Sequence, residues 1–183
     1  MDLTAVFKAL EASSPAAAIR ASLYLFPAIE TIHVIALALV FGTILIVDLR
    51  LLGLASTARR VHKVEADLLK WTWGGFVVAA VTGLLMFITN AQVYADSLPF
   101  RLKLVALALA GLNMVVFEFT THRSIKHWDD QPRAPTAGRV AAILSILLWT
   151  AVIFTGRWIG FTTSHATVEL KPPAGVDFDD FLQ

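Results

Sequence analysis

The chain has 183 residues, of which 57% are hydrophobic and 16% are charged, and its formal net charge is +1. A soluble domain carries about a quarter charged residues, so much of the apolar surface of this chain must face lipid. It has no cysteine, which excludes disulfides, thiolate metal sites and thiol catalysis. Its basic residues are loop charges, so nucleic-acid binding has no support.

Residues 1–26 precede the first long apolar run. Four apolar residues recur there at helical spacing: Leu3, Val6, Phe7 and Leu10. This stripe predicts a short amphipathic helix that lies along the membrane surface until Pro15 interrupts it. A loosely held terminal helix is the alternative, because three turns are only marginally stable alone.

A helix needs about 20 mostly apolar residues to cross the hydrocarbon core of a bilayer. Four stretches meet this requirement, at about residues 27–49, 71–93, 99–121 and 140–161. The sequence therefore predicts an all-α fold, a four-transmembrane-helix bundle over residues 27–165. A C-terminal tail follows at residues 166–183.

The orientation of the bundle is predicted from Lys and Arg, which are enriched in cytoplasmic loops. The loops that join spans one to two and three to four hold nine of them: Arg50, Arg59, Arg60, Lys63, Lys70, Arg123, Lys126, Arg133 and Arg139. The other side holds five: Lys8, Arg20, Arg101, Lys103 and Lys171. We therefore expect a bacterial inner-membrane protein with both termini in the periplasm.

Three features bear on what surrounds the bundle. The tail sequence KPPAGVDFDDFLQ is either disordered or a docking peptide for a partner subunit. Two small-residue pairs, Ala79 with Gly83 and Gly156 with Gly160, allow close helix approach within a compact bundle or at a homo-oligomer face. Tryptophans near the predicted span ends are expected to form interfacial belts: Trp71, Trp73, Trp128 and Trp158.

Four of the five histidines fall into two groups on the predicted topology. His33 lies in the first span and His165 just past the fourth, so both are near the periplasmic face. His122 lies at the cytoplasmic end of the third span, and His62 lies in the loop before the second. Because a bis-histidine haem needs two imidazoles from separate elements, two such pairs at opposite faces would form an electron path across the bilayer.

In this arrangement the chain resembles the four-helix, di-haem membrane cytochromes b. The resemblance implies one or two haem b groups, ligated by His33 with His165 and by His62 with His122. It also implies electron transfer between a quinone or cytoplasmic donor and a periplasmic acceptor, as a membrane oxidoreductase or an electron-transfer subunit. The segments FGTILIVDLRLLG, WTWGGFVVAAVTGLLMF and TGRWIGF also resemble an uncharacterised family of small bacterial integral membrane proteins.

Charged residues inside membrane spans need a partner or a function. Arg157 lies at about the depth of His33 and is either a clamp for an anionic group, such as a haem propionate or a quinone head, or an ion-pair partner of Glu30. Glu30 is also placed to hydrogen-bond His33. Either role of Arg157 predicts that span one packs against span four. Near the cytoplasmic face, Asp48 and Arg50 predict a cross-helix salt bridge.

Two other functions remain open, and no catalytic residue is predicted because no nucleophile and base fall together. The histidines are also candidate metal ligands: His33, His165, His122 and His62. At the periplasmic face, His33 and His165 with Glu30 suit copper or zinc. Glu118, one helical turn from His122, can orient that ring or relay protons. A non-catalytic accessory subunit docked through the tail would carry no chromophore.

Overall fold

The computed structural model describes the backbone of residues 3–167 and the side chains of residues 3–161. It is helical, and no strand occurs among these residues. The elements are α1 (Leu3–Glu11), α2 (Ser14–Ala21), α3 (Leu25–Leu52), α4 (Val61–Thr89), α5 (Ala91–Asp96), α6 (Leu98–Phe119), a 3₁₀ helix (His122–His127) and α7 (Thr136–Thr167). The tail from residue 168 onward, with its predicted docking role, lies outside the described part.

Four helices are long and apolar enough to cross a membrane: α3, α4, α6 and α7 over Thr136–Phe161. In their most apolar windows only 11–28% of the residues are buried inside the protein. The other apolar side chains of these helices therefore need lipid around them. The prediction of an all-α membrane protein with four spans is confirmed.

The helix α4 differs most from its predicted span. It begins at Val61, ten residues before the expected start, because the polar stretch HKVEADLLK continues the helix beyond the apolar run. It ends at Thr89, because Asn90 has φ −149° and ψ 55° and breaks the helix. The residues that follow form the short helix α5.

The N-terminal segment folds as two helices rather than one. Pro15 lies in the first turn of α2, where its missing N–H is no loss. The Arg20 guanidinium donates to the Thr89 carbonyl oxygen at 2.9 Å, and the Glu11 carboxylate accepts from the Gln92 N–H at 2.9 Å. The predicted amphipathic helix is thus present, and α1 and α2 are anchored to the α4–α5 junction.

The spans pack as α3 on α4, α6 on α7, and α3 on α7. The prediction that the first span packs against the fourth is therefore confirmed. Small residues bring α3 and α4 together: a Cβ atom added to Gly75 would lie 3.0 Å from Val40 Cγ2 and 3.3 Å from the Ala36 carbonyl oxygen. We call the end of the bundle with α1, α2 and α5 the N-terminal end, and the end with residues 53–60 and 120–135 the loop end.

Arg50 closes the loop end. Its side chain is fully buried, and its guanidinium donates to the carbonyl oxygens of Arg59 at 2.7 Å, Gln131 at 3.0 Å and Pro132 at 3.3 Å. The expected cross-helix salt bridge of Asp48 and Arg50 is not found among the described residues, because the Arg50 guanidinium is occupied by loop carbonyl oxygens. Asp48 faces Ser145 of α7, and its Oδ2 is buried with no hydrogen-bond partner among the described residues.

The same end contains the main buried apolar cluster, formed by Leu51, Val61, Trp128, Ala134 and Ala142. Trp128 is 3% exposed, and its indole N–H donates to Ser124 Oγ at 3.2 Å. Its predicted place in an interfacial belt is therefore wrong. Trp71, Trp73 and Trp158 are at least half exposed on the spans.

Candidate functional site

A cavity of about 330 Å³ lies between the four spans toward the N-terminal end. Each span contributes to it, and its lining includes Glu30 and His33 from α3, Lys103 from α6 and Arg157 from α7. Ionisable groups within membrane spans face the bundle interior and mark functional sites by default. This cavity, which we call the four-helix cavity, is the first candidate site.

The hydrogen bonds of Thr82 favour one tautomer of His33. Thr82 Oγ1 has a single proton, and the Val78 carbonyl oxygen accepts from it at 2.7 Å. His33 Nδ1 lies 2.9 Å from Thr82 Oγ1, and it is the N–H donor to that oxygen in the tautomer in which Thr82 keeps its bond to Val78. In a neutral imidazole with Nδ1 protonated, Nε2 carries the lone pair. His33 thus enters the cavity as a potential ligand or proton acceptor.

Gly83 gives the His33 ring its space. A Cβ atom added to Gly83 would lie 3.1 Å from His33 Cε1, closer than side chains normally approach. Ala79, one turn earlier on α4, is buried. The small-residue pair that the sequence suggested for helix packing therefore accommodates the imidazole within this bundle.

The charges in the cavity are not paired with one another. No salt bridge joins Glu30 to Arg157, and no hydrogen bond joins Glu30 to His33, among the described side chains. The Arg157 guanidinium lies 5.9 Å from the Phe161 ring centroid. Lys103 Nζ lies 3.5 Å from the position of a Cβ atom added to Gly156. Two cations and one carboxylate therefore face a shared space.

An aromatic cluster forms another part of the lining. The rings of Phe87 and Phe100 stack with centroids 5.4 Å apart, and the Tyr94 centroid is 5.9 Å from that of Phe100. Burial and the negative charge of Glu30 both raise the pKa of Tyr94 above its usual value. The phenol therefore stays protonated and can donate a hydrogen bond. The cavity combines flat apolar surface with cationic groups.

A second group of ionisable residues lies at the loop end, around His122. His122 Nε2 is 3.1 Å from a carboxylate oxygen of Glu65, and Nδ1 is 3.2 Å from one of Glu118. One ligand atom from each of the three residues lies within 4.8 Å of the others. The expected contact of Glu118 with His122 is confirmed, and Glu65 joins it from α4.

His62 has a separate partner at the same end. Its backbone N–H donates to Asp129 Oδ1 at 3.0 Å, and its Nδ1 hydrogen-bonds the other oxygen of that carboxylate. Burial alone would raise the pKa of Asp129, but the hydrogen bonds from His62 and the charges of His62 and Arg60 lower it below its usual value. Asp129 therefore fixes the first turn of α4 to the loop that follows the 3₁₀ helix.

The two predicted histidine pairs have different outcomes. His33 lines the four-helix cavity, whereas the side chain of His165 lies outside the described residues, although α7 continues past it to Thr167. At the loop end, both ring nitrogens of His122 contact carboxylates, and Nδ1 of His62 contacts Asp129. In this conformation His122 therefore offers no free nitrogen to an iron.

The sequence reasoning missed Lys103 as a site residue and counted it only as a periplasmic charge. A signal was present, because a lysine five residues into the run LPFRLKLVALALAG is an intramembrane cation. Glu65 and Asp129 carried no such signal. Each lies in a polar segment and becomes notable only through its contact with a histidine distant in sequence.

Comparison with known proteins places this architecture in a family. Residues 21–162 match the model of a family of unknown function, DUF6644. The chain belongs to this family. The DUF6644 match includes all four spans and both ionisable groups, and it agrees with the expected resemblance to uncharacterised membrane proteins. No curated protein and no solved structure matches the chain, and none of the comparisons returns a cytochrome b.

Proposed function

We propose that the four-helix cavity binds one haem b through His33 and that the protein carries electrons between a membrane quinol and an acceptor at the N-terminal end. The carrying observation is the hydrogen bond between His33 Nδ1 and Thr82 Oγ1, because with Nδ1 as its donor the Nε2 lone pair of His33 is left for a ligand. Histidines that bind metals typically donate their other ring N–H to an acceptor in this way. Haem iron would supply the one-electron redox chemistry.

The remaining lining fits a haem by its chemistry. Phe87 and Phe100 offer flat apolar surface for the macrocycle, and Lys103 and Arg157 offer positive charge for the propionates. A volume of about 330 Å³ is at the lower end of the range for ligand pockets, roughly 300–1,000 Å³. Val34, on the rim, is 47% exposed, so a larger ligand would extend toward lipid on that side.

The second axial ligand stays a prediction. At about 1.5 Å per residue, the backbone of His165 lies roughly 12 Å beyond Arg157 along α7. A bis-histidine haem would give a low-spin spectrum that becomes high-spin in His165→Ala. If His33 is the only protein ligand, the haem would be high-spin in the parent protein, and His165→Ala would leave its spectrum unchanged.

One haem accounts for the described residues better than two, because His122 is engaged by Glu65 and Glu118. The lysine and arginine count supports a cytoplasmic loop end, and the electron acceptor would then be periplasmic. The quinol would reach the cavity from the bilayer.

Absorption spectra of protein purified from cells supplied with haem test this function. A Soret band that His33→Ala removes is expected, and a spectrum without cofactor would contradict the proposal.

A divalent metal ion at the loop end is a second candidate function, favoured by the mutual proximity of ligand atoms from Glu65, Glu118 and His122. Imidazole with carboxylates suits zinc, manganese or iron. The ion would bind one nitrogen of His122 and replace a hydrogen bond. Metal analysis of the purified protein should then show an ion that Glu65→Gln removes and His33→Ala does not.

A further inference from the structure

A second cavity, of about 550 Å³, lies at the loop end and is separate from both ionisable groups. It is formed where α3 ends and α7 begins. Its polar lining is Arg133, Arg139 and Thr136, and its apolar lining includes Leu54, Val140 and Ile143. We call it the arginine cavity.

Arg139 lines this cavity. Its Nη2 donates to Thr136 Oγ1 at 3.1 Å, and its Nε is buried without a hydrogen-bond partner among the described residues. The guanidinium fork matches the oxygens of a phosphate group.

Arg133 adds a second uncompensated cation. Its aliphatic stem crosses Gly53, whose φ of +73° and missing side chain leave the room: a Cβ atom there would lie 2.4 Å from Arg133 Cγ. Neither Arg133 nor Arg139 forms a salt bridge among the described residues.

The apolar part of the cavity distinguishes the ligand class. Leu54 is 70% exposed, Val140 50% and Ile143 49%. The last two continue along the membrane-spanning part of α7, so the cations and the aliphatic surface meet where a span ends. A free phosphate ion would use only the arginines, whereas a phospholipid would use both parts.

We propose that the arginine cavity binds an anionic phospholipid of the leaflet at the loop end, with its phosphate on Arg133 and Arg139 and an acyl chain along Val140 and Ile143. The inference does not depend on haem or on the proposed electron transfer. It assigns a lipid-binding role to two arginines that the sequence showed only as loop charges.

Native mass spectrometry of the full-length protein in detergent tests the proposal with phosphatidylglycerol, phosphatidylcholine and inorganic phosphate as probes. We expect selective retention of phosphatidylglycerol, which binds roughly 30-fold more weakly to Arg133→Gln/Arg139→Gln. The matched control is Arg123→Gln/Lys126→Gln, two exposed cations at the same end and outside the cavity, which should leave this binding unchanged.

Three results would overturn the proposal. Equal loss of phosphatidylglycerol from both double variants would indicate diffuse surface charge. If the parent protein retained phosphatidylcholine as well as phosphatidylglycerol, the arginines would not select an anionic lipid. Inorganic phosphate that displaces phosphatidylglycerol at equal concentration would assign the site to a free anion. If the double variant does not fold, Arg133→Gln alone should weaken binding about 5-fold.

Discussion

His33 on α3 and Thr82 on α4 are joined across the bundle by a hydrogen bond of 2.9 Å. The hydroxyl donates a hydrogen bond to the Val78 carbonyl oxygen, which favours the imidazole tautomer with its lone pair on Nε2. This contact connects residues 49 positions apart and orients the only histidine among the described side chains that lines the four-helix cavity. The proposed haem ligation rests on it.

Thr82→Val should weaken haem retention by roughly 10- to 100-fold, because loss of a supporting hydrogen bond to a metal-ligating histidine has that effect. Haem titration of the purified apoprotein measures it. Thr72→Val is the matched control: Thr72 donates to Thr43 at 2.8 Å across the same pair of helices, away from the cavity. Equal haem affinity of Thr82→Val and Thr72→Val would show that Thr82 contributes only to helix packing.

Gly83→Ala should lower haem content, because the new Cβ atom would press on His33 Cε1 from 3.1 Å and displace the ring. Gly111→Ala is the control, since a Cβ atom there meets nothing within 4 Å. It should retain haem and stabilise α6 by up to about 1 kcal/mol. Haem-to-protein ratios and melting curves in detergent give both quantities. A haem content in Gly83→Ala equal to that of the parent would contradict the tight fit.

Arg50→Ala should be strongly destabilising. It would leave the carbonyl oxygens of Arg59, Gln131 and Pro132 without their donor, at about 1–3 kcal/mol for each one that water cannot reach. Thermal unfolding in detergent and limited proteolysis of residues 53–60 measure the effect. Arg60→Ala, which removes an exposed pair with Asp130, should change stability by less than about 1 kcal/mol. A similar loss of stability in Arg50→Ala and Arg60→Ala would refute the role of Arg50 in holding the loop end together.

Acid should release the contact of His62 with Asp129. The pKa of Asp129 is lowered below its usual 3.8 in the folded protein, so its stabilising contribution is present above about pH 4 and is lost as the pH falls through the folded value. Asp129→Asn should therefore exchange amide hydrogens of residues 61–64 faster than the parent at pH 6, and the difference should shrink below pH 4. A difference that does not change with pH would exclude the carboxylate charge as its cause.

Much of the fold was predictable, because hydropathy alone identifies four spans. The bounds of α4 were not, since five of its first ten residues are charged or histidine, and this segment is held to the loop after the 3₁₀ helix by the contact of His62 with Asp129. The burial of Trp128 was not predictable from the sequence for a related reason. An indole beside a span suggests an interface, and only the folded loop shows that its neighbours enclose it.

The candidate site was predictable in part. A histidine, a glutamate and an arginine inside apolar helices indicate a site, and α3 and α7 bring Glu30, His33 and Arg157 to one cavity. Their partners were not predictable, because Thr82 and Gly83 look like ordinary helix-packing residues until His33 lies against them. His122 was expected to face an iron, but its neighbours Glu65 and Glu118 occupy both ring nitrogens.

The most direct measurement is the absorption spectrum of the full-length protein and of His33→Ala, each purified from cells supplied with haem. His127→Ala is the control, because His127 is exposed and, among the described residues, hydrogen-bonds only the Ser124 carbonyl oxygen of its own segment. We expect a Soret band and a reduced-form visible band in the parent and in His127→Ala, and their loss in His33→Ala. A parent protein without these bands, or a His33→Ala protein that keeps them, would contradict it.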